Sequence, residues 1–110
     1  MERRVVITGM SAITPIGHGK DQIVQSLLNG TSGIKPLREE EFLSSFIHSK
    51  VYGTVDYPVE YDFKRNHRKT MGPVAYYACQ VAREVLEQSG LTEDFITSGR
   101  LGVAFGSIHG

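Results

Sequence analysis

One cysteine, four histidines and a compact run of cations are the residues of this 110-residue sequence whose types could do chemistry. Cys79 would attack only as a thiolate, and a thiol is acidified at a helix N-terminus or beside a cation. Its neighbours Ala78 and Gln80 lie inside a segment of helical periodicity, so the spacing predicts a small mid-helix residue rather than a nucleophile. His18 stands alone in a glycine-bearing loop, and His48 and His67 have no partner at metal-ligand spacing, which argues against a metal site. His109 closes the turn Gly106-Ser107-Ile108-His109-Gly110. Lys64, Arg65, His67, Arg68 and Lys69 form the one basic run, which on charge alone reads as a solvated face. Loops that follow a strand and carry glycine also cradle phosphates. Here Gly9-Met10-Ser11-Ala12-Ile13-Thr14 lacks the second and third glycines of the dinucleotide fingerprint, and no Gly-Lys-Ser or Gly-Lys-Thr occurs. A nucleotide-binding α/β module is therefore only a runner-up reading.

The elements that must position these residues follow from periodicity. Val5-Val6-Ile7, bounded by Arg4 and Thr8-Gly9, has the β-branched composition of a strand covered on both faces. Met10 to Gly19 carries Pro15, Gly17 and Gly19 and reads as a loop. A helix follows, with Asp21 at its positive end, Ile23, Val24, Leu27 and Leu28 on one face, and Gly30 as a left-handed cap. That placement makes Asn29-Gly30-Thr31 a helix end rather than a glycosylation acceptor. Residues 31–71 lose periodicity and read as an irregular insertion with one short helix. Val74, Tyr77, Ala78, Val81, Ala82, Val85 and Leu86 then trace an apolar stripe on a helix of about five turns, closed by Gly90. Thr92-Glu93-Asp94 starts a further turn of helix to Ile96, and Leu101 to Phe105 returns to strand composition.

The order β-α-insertion-α-β predicts an α/β fold in which Val5 to Thr8 and Leu101 to Phe105 are parallel strands joined by right-handed crossovers. Two strands cannot close a covered sheet, so the expectation is an incomplete domain that is poorly stable alone and self-associates. Composition excludes other classes. Twelve Lys and Arg balance twelve Asp and Glu, leaving no global field toward nucleic acid or an anionic membrane. No run approaches the ~20 apolar residues of a membrane-spanning helix, and Val5 to Gly9 is too short for a signal-peptide core. A single cysteine permits no internal disulfide, and a reducing cytoplasm is the default.

The segment Arg3-Arg4-Val5-Val6-Ile7-Thr8-Gly9-Met10-Ser11-Ala12-Ile13-Thr14-Pro15-Ile16-Gly17 resembles the opening of the β-ketoacyl-acyl-carrier-protein synthases, typically RRVVVTGxGxxxPxG. Asn29 to Ile34 is similar to that family's GxSGI turn, and Ala82 to Leu91 followed by Arg100-Leu101-Gly102-Val103 continues the match. Gly106 to Gly110 falls where the family has a GSGIGG-type turn. Two departures stand out. Ser11 stands where the elongating fatty-acid enzymes usually have glycine, and Ile108-His109 replaces Gly-Ile-Gly, closer to the synthase-like enzymes of aryl-polyene and polyketide pathways.

The resemblance implies the N-terminal part of a thiolase-like fold, an incomplete and mainly parallel sheet with helices. It implies a parent enzyme that joins an acyl thioester to malonyl-carrier protein by decarboxylative Claisen condensation, in fatty-acid or polyketide formation. The activated cysteine and paired histidines of that chemistry are expected downstream of Gly110, so no catalytic residue is expected among these 110 and the chain alone is expected to be inactive. In the family's pattern Ser107, Ile108 and His109 fall in the turn lining the acyl pocket, a structural role for His109 being the alternative. Arg65, Arg68 and Lys69 fall where basic residues face the acidic acyl-carrier protein, although the sequence is one residue longer there than the family's Arg-Lys-Met. The implied partners are acyl-carrier protein, acyl and malonyl thioesters and a second copy in a homodimer, without cofactor, metal, nucleic acid or membrane. A noncatalytic carrier-binding or scaffold fragment is the other alternative.

Overall fold

The helix over Pro73–Ser89 is the longest element, and its boundaries follow from local chemistry. Gly72 precedes Pro73 at the first helical position, where a missing N–H costs nothing. Gly90 ends it at φ 65°, a left-handed conformation that a side chain would strain. In this computed structural model, which describes residues 2–38, 48–55, 57 and 63–108, the order is as follows. Strands β1 (Ile13–Thr14) and β2 (Gly17–His18) lead into helix α1 (Gly19–Leu28). Strands β3 (Ile34–Pro36) and β4 (Val51–Gly53) precede helices α2 (Arg65–Arg68), α3 (Pro73–Ser89) and α4 (Glu93–Thr97). The chain divides into two units, residues 12–58 and residues 1–11 together with 59–110.

Within residues 12–58, β1 and β2 form an antiparallel pair in the register Ile13 with His18 and Thr14 with Gly17. Pro15 and Ile16 make the turn, and the Thr14 hydroxyl donates to the Gly17 carbonyl (3.0 Å) while accepting from the Ile16 N–H (3.3 Å). This hairpin lies in the stretch expected to be loop. Its two-residue strands are too short to show an alternating pattern, and the turn is held by a side chain instead. The Ser26 hydroxyl of α1 donates to the Ile16 carbonyl (2.6 Å), tying helix to hairpin. Helix α1 ends as expected, with Gly30 at φ 64° and Asn29 as its C-cap. Its apolar face is not covered by the described residues: Val24, Leu27 and Leu28 are exposed. Strands β3 and β4 pair antiparallel, Lys35 opposite Tyr52, where irregular structure was expected.

Within the other unit, the stripe Tyr77, Ala78, Val81, Ala82, Val85 and Leu86 is half-buried, and Val74 is exposed. The one buried side chain among the described residues is Tyr76, which lies off that stripe. The N-terminal segment is fastened to α3 by polar groups: Met10 N–H donates to Gln88 Oε1 (3.0 Å) and the Ser11 hydroxyl donates to the Glu84 carboxylate. Helix α4 starts at Thr92, whose hydroxyl accepts from the Phe95 N–H (3.4 Å), the cap expected from its sequence.

The parallel pairing of Val5 to Thr8 with Leu101 to Phe105 is not formed. Both segments lie outside any ladder among the described residues, and both sheets are antiparallel two-stranded pairs. Val5 is 90% and Phe105 68% exposed. A strand needs a neighbour to take its N–H and C=O groups, and β-branched composition alone supplies none.

Candidate functional site

The basic run is the feature the fold positions most specifically. Lys64 starts α2, His67 and Arg68 N–H groups return to the Lys64 carbonyl (2.9 and 3.2 Å), and Thr70 and Met71 close the turn onto His67 and Arg68. Residues 64–69 are all exposed. Arg65, Arg68 and Lys69, the expected docking cations, thus share one short helical turn, and none has an acidic partner among the described residues.

A four-residue helix has little stability of its own, because nucleation is unfavourable and few bonds repay it. Tertiary contacts supply what is missing. The Tyr76 hydroxyl on α3 donates to the Arg68 carbonyl (3.2 Å), and its ring meets that of Phe63 at 5.9 Å. The Arg83 guanidinium, two turns along α3, lies 5.4 Å from the Phe63 ring centre, within cation–π range. Phe63, just before the run, and Arg68, within it, are therefore both held to one helix. The arrangement can present positive charge to an anionic surface, and it contains no acid–base pair and no nucleophile.

Sequence reasoning did not single out Tyr76. The signal available was the Tyr76-Tyr77 pair, of which periodicity assigned only Tyr77 to the covered face. The tyrosine that is buried is the one whose hydroxyl finds a carbonyl partner.

The other expected site residues are more scattered. Ser107 and Ile108 are exposed, Ile108 at 94%, and His109 lies outside the described residues. Cys79 is a free, half-buried thiol in the middle of α3, as its neighbours imply. His18 is not alone: its ring lies 4.0 Å from that of Tyr57, beside a cavity of about 180 Å³ that Thr14, Gln22, Lys35 and Thr54 help to line. No cluster of three or more metal-ligating side chains occurs among the described residues. No described helix is long and apolar enough to cross a membrane.

Residues 2–110 match the protein family described as beta-ketoacyl synthase, N-terminal domain. The chain is 37% identical over 105 residues to 3-oxoacyl-[acyl-carrier-protein] synthase 1 of Haemophilus influenzae, covering 96% of this chain and 25% of that protein. It is 36% identical over 109 residues to 3-oxoacyl-[acyl-carrier-protein] synthase 2 of Coxiella burnetii, covering 96% and 25%. To 3-oxoacyl-[acyl-carrier-protein] synthase 1 of Buchnera aphidicola it is 33% identical over 107 residues, covering 96% and 26%. The chain thus spans about a quarter of the length of the curated relatives it matches. No solved structure matches it.

Proposed function

Because the chain belongs to the β-ketoacyl synthase family, we propose that it is the N-terminal portion of a 3-oxoacyl-[acyl-carrier-protein] synthase. The observation that carries this reading is the match along 96% of the chain to enzymes of that name. The proposed enzyme is an acyltransferase of fatty-acid or polyketide formation. A cysteine thiol takes the acyl group from its carrier thioester and releases the carrier thiol. Malonyl-carrier protein then loses carbon dioxide, its carbanion attacks the acyl thioester carbonyl, and the cysteine thiolate leaves as the new carbon–carbon bond forms.

The 110 residues contribute surface and scaffold to this reaction rather than its reacting groups. Arg65, Arg68 and Lys69 dock the acidic carrier protein, a role supported by their exposure and lack of acidic partners among the described residues. Ser107, Ile108 and His109 line the acyl pocket once the remaining chain surrounds them, which accords with the exposure of Ile108. Val5 to Thr8 and Leu101 to Phe105 become strands of a mainly parallel, thiolase-like sheet when further chain supplies their partners. A homodimer in the cytoplasm completes the reading.

The test compares the chain with a longer protein that carries it, each given acyl- and malonyl-carrier protein. The chain alone releases no carbon dioxide and forms no 3-oxoacyl product, while the longer protein does both. Absence of product from a folded full-length protein, across acyl chains of different length, overturns the proposal. Product from the chain alone that is lost on Cys79→Ala makes Cys79 the nucleophile and overturns the scaffold role.

A further inference from the structure

Tyr76 holds the basic segment at two points. Its hydroxyl donates to the carbonyl of Arg68 at 3.2 Å, and its ring packs at 5.9 Å and 50° against Phe63, the residue before Lys64. Arg83 follows Tyr76 by seven residues, hence on the same face of α3, and its guanidinium lies over the Phe63 ring at 5.4 Å. Five exposed residues, 64–67 and 69, are thus suspended from two anchored ones on a 17-residue helix. At 9% exposed, Tyr76 is the most covered described side chain, so both anchors close on the best-packed of the described residues.

We propose that Tyr76 is a positioning residue for carrier-protein docking, fixing where Arg65, Arg68 and Lys69 stand before the carrier arrives. The proposal rests on the docking reading above. Its physical content is preorganisation. Cations on a loose segment must be ordered during association, whereas cations already held in place lose less freedom on docking. The hydroxyl governs the Arg68 anchor and the ring governs the Phe63 anchor, so the two can be removed separately.

In the full-length protein, Tyr76→Phe removes the hydroxyl and keeps the ring. It should raise KM for carrier-bound substrate roughly threefold to tenfold at low salt, the range expected for one lost hydrogen bond, with kcat unchanged. The ratio of that KM to the KM for a small thioester lacking the carrier should rise in step. Raising ionic strength should narrow the gap between variant and parent, because the misplaced groups act through screened charge. Amide hydrogen exchange should accelerate in residues 64–71 and not along α3. Phe63→Leu loosens the other anchor and should shift KM in the same direction.

The double variant Arg68→Glu, Lys69→Glu, measured alongside, separates the two claims. If it raises KM for carrier-bound substrate while Tyr76→Phe and Phe63→Leu do not, docking stands and the positioning role is overturned. If the reversal changes nothing, the docking reading fails, and Tyr76 is left as a structural anchor even where exchange accelerates. Equal loss of kcat on both substrate types in Tyr76→Phe would mean general damage and would also overturn the proposal.

Discussion

At the scale of single residues, close approach and hydrogen bonding assign roles that residue type leaves open. Gly33 lies in the turn after α1, where an added Cβ would sit 2.6 Å from both Cβ and the carbonyl oxygen of Pro15. Neither atom is the end of a flexible side chain, so something in the backbone must give. Gly33→Ala should destabilise the unit formed by residues 12–58 by about 1–3 kcal/mol, the usual cost of overpacking, read from its chemical denaturation midpoint. An unchanged midpoint would mean that the turn relaxes freely. Ser11 stands where the resemblance to the elongating enzymes leads one to expect glycine, and its hydroxyl donates to Glu84, which also accepts from Gln80 Nε2 at 2.9 Å. The departure thus has a local partner. Cys79 was legible from its neighbours because a mid-helix position needs only sequence periodicity to recognise. Tyr76 was not, because its role depends on a carbonyl eight residues away and on Phe63, thirteen away.

At the scale of elements, helices were legible and hairpins were not. Helices α1, α3 and α4 announce themselves through apolar spacing, Thr92 as a cap and the glycines 30 and 90 as stops. Removing one signal gives a direct check: Thr92→Ala should fray α4 at a cost of about 1 kcal/mol, seen as faster exchange of the Phe95 and Ile96 amides, both of which donate to the Thr92 carbonyl. Exchange left as in the parent would show that the backbone bonds, 3.0 Å each, hold the turn without the hydroxyl. Strands β1 to β4 run two or three residues each, fewer than alternation requires to be visible. Their cause is turn chemistry at Thr14 and Pro15 and pairing across a long connection, where Leu37 N–H also reaches the Lys50 carbonyl (2.8 Å).

At the scale of the whole molecule, much of the apolar surface is uncovered. Val5, Val6, Ile7, Val103, Phe105 and Ile108 are exposed outside any helix or strand, along with the face of α1. Backbone that lies in no ladder and carries exposed apolar side chains can pair with another copy. The 110-residue chain studied alone should therefore self-associate, sedimenting as species heavier than its 12.2 kDa. A monomer at that mass with a single cooperative melting transition would contradict this expectation. The same surface accords with the proposal that further chain covers these segments in the working enzyme.

The family, the helices and the mid-helix place of Cys79 were legible from the sequence alone, because those depend on motifs and periodicities carried by neighbouring residues. The order of Arg3 to Gly17 needed no contact to be recognised, and the stripe on α3 needed only helical geometry. The fold decided what depends on partners outside each segment. It paired the short strands antiparallel, left Val5 to Thr8 and Leu101 to Phe105 without a ladder, set His18 against Tyr57, and hung the basic run from Tyr76. The physical reason is common to all four. A strand, a ring contact or a single helical turn is completed by groups outside its own segment, whereas a long helix satisfies its interior backbone from within.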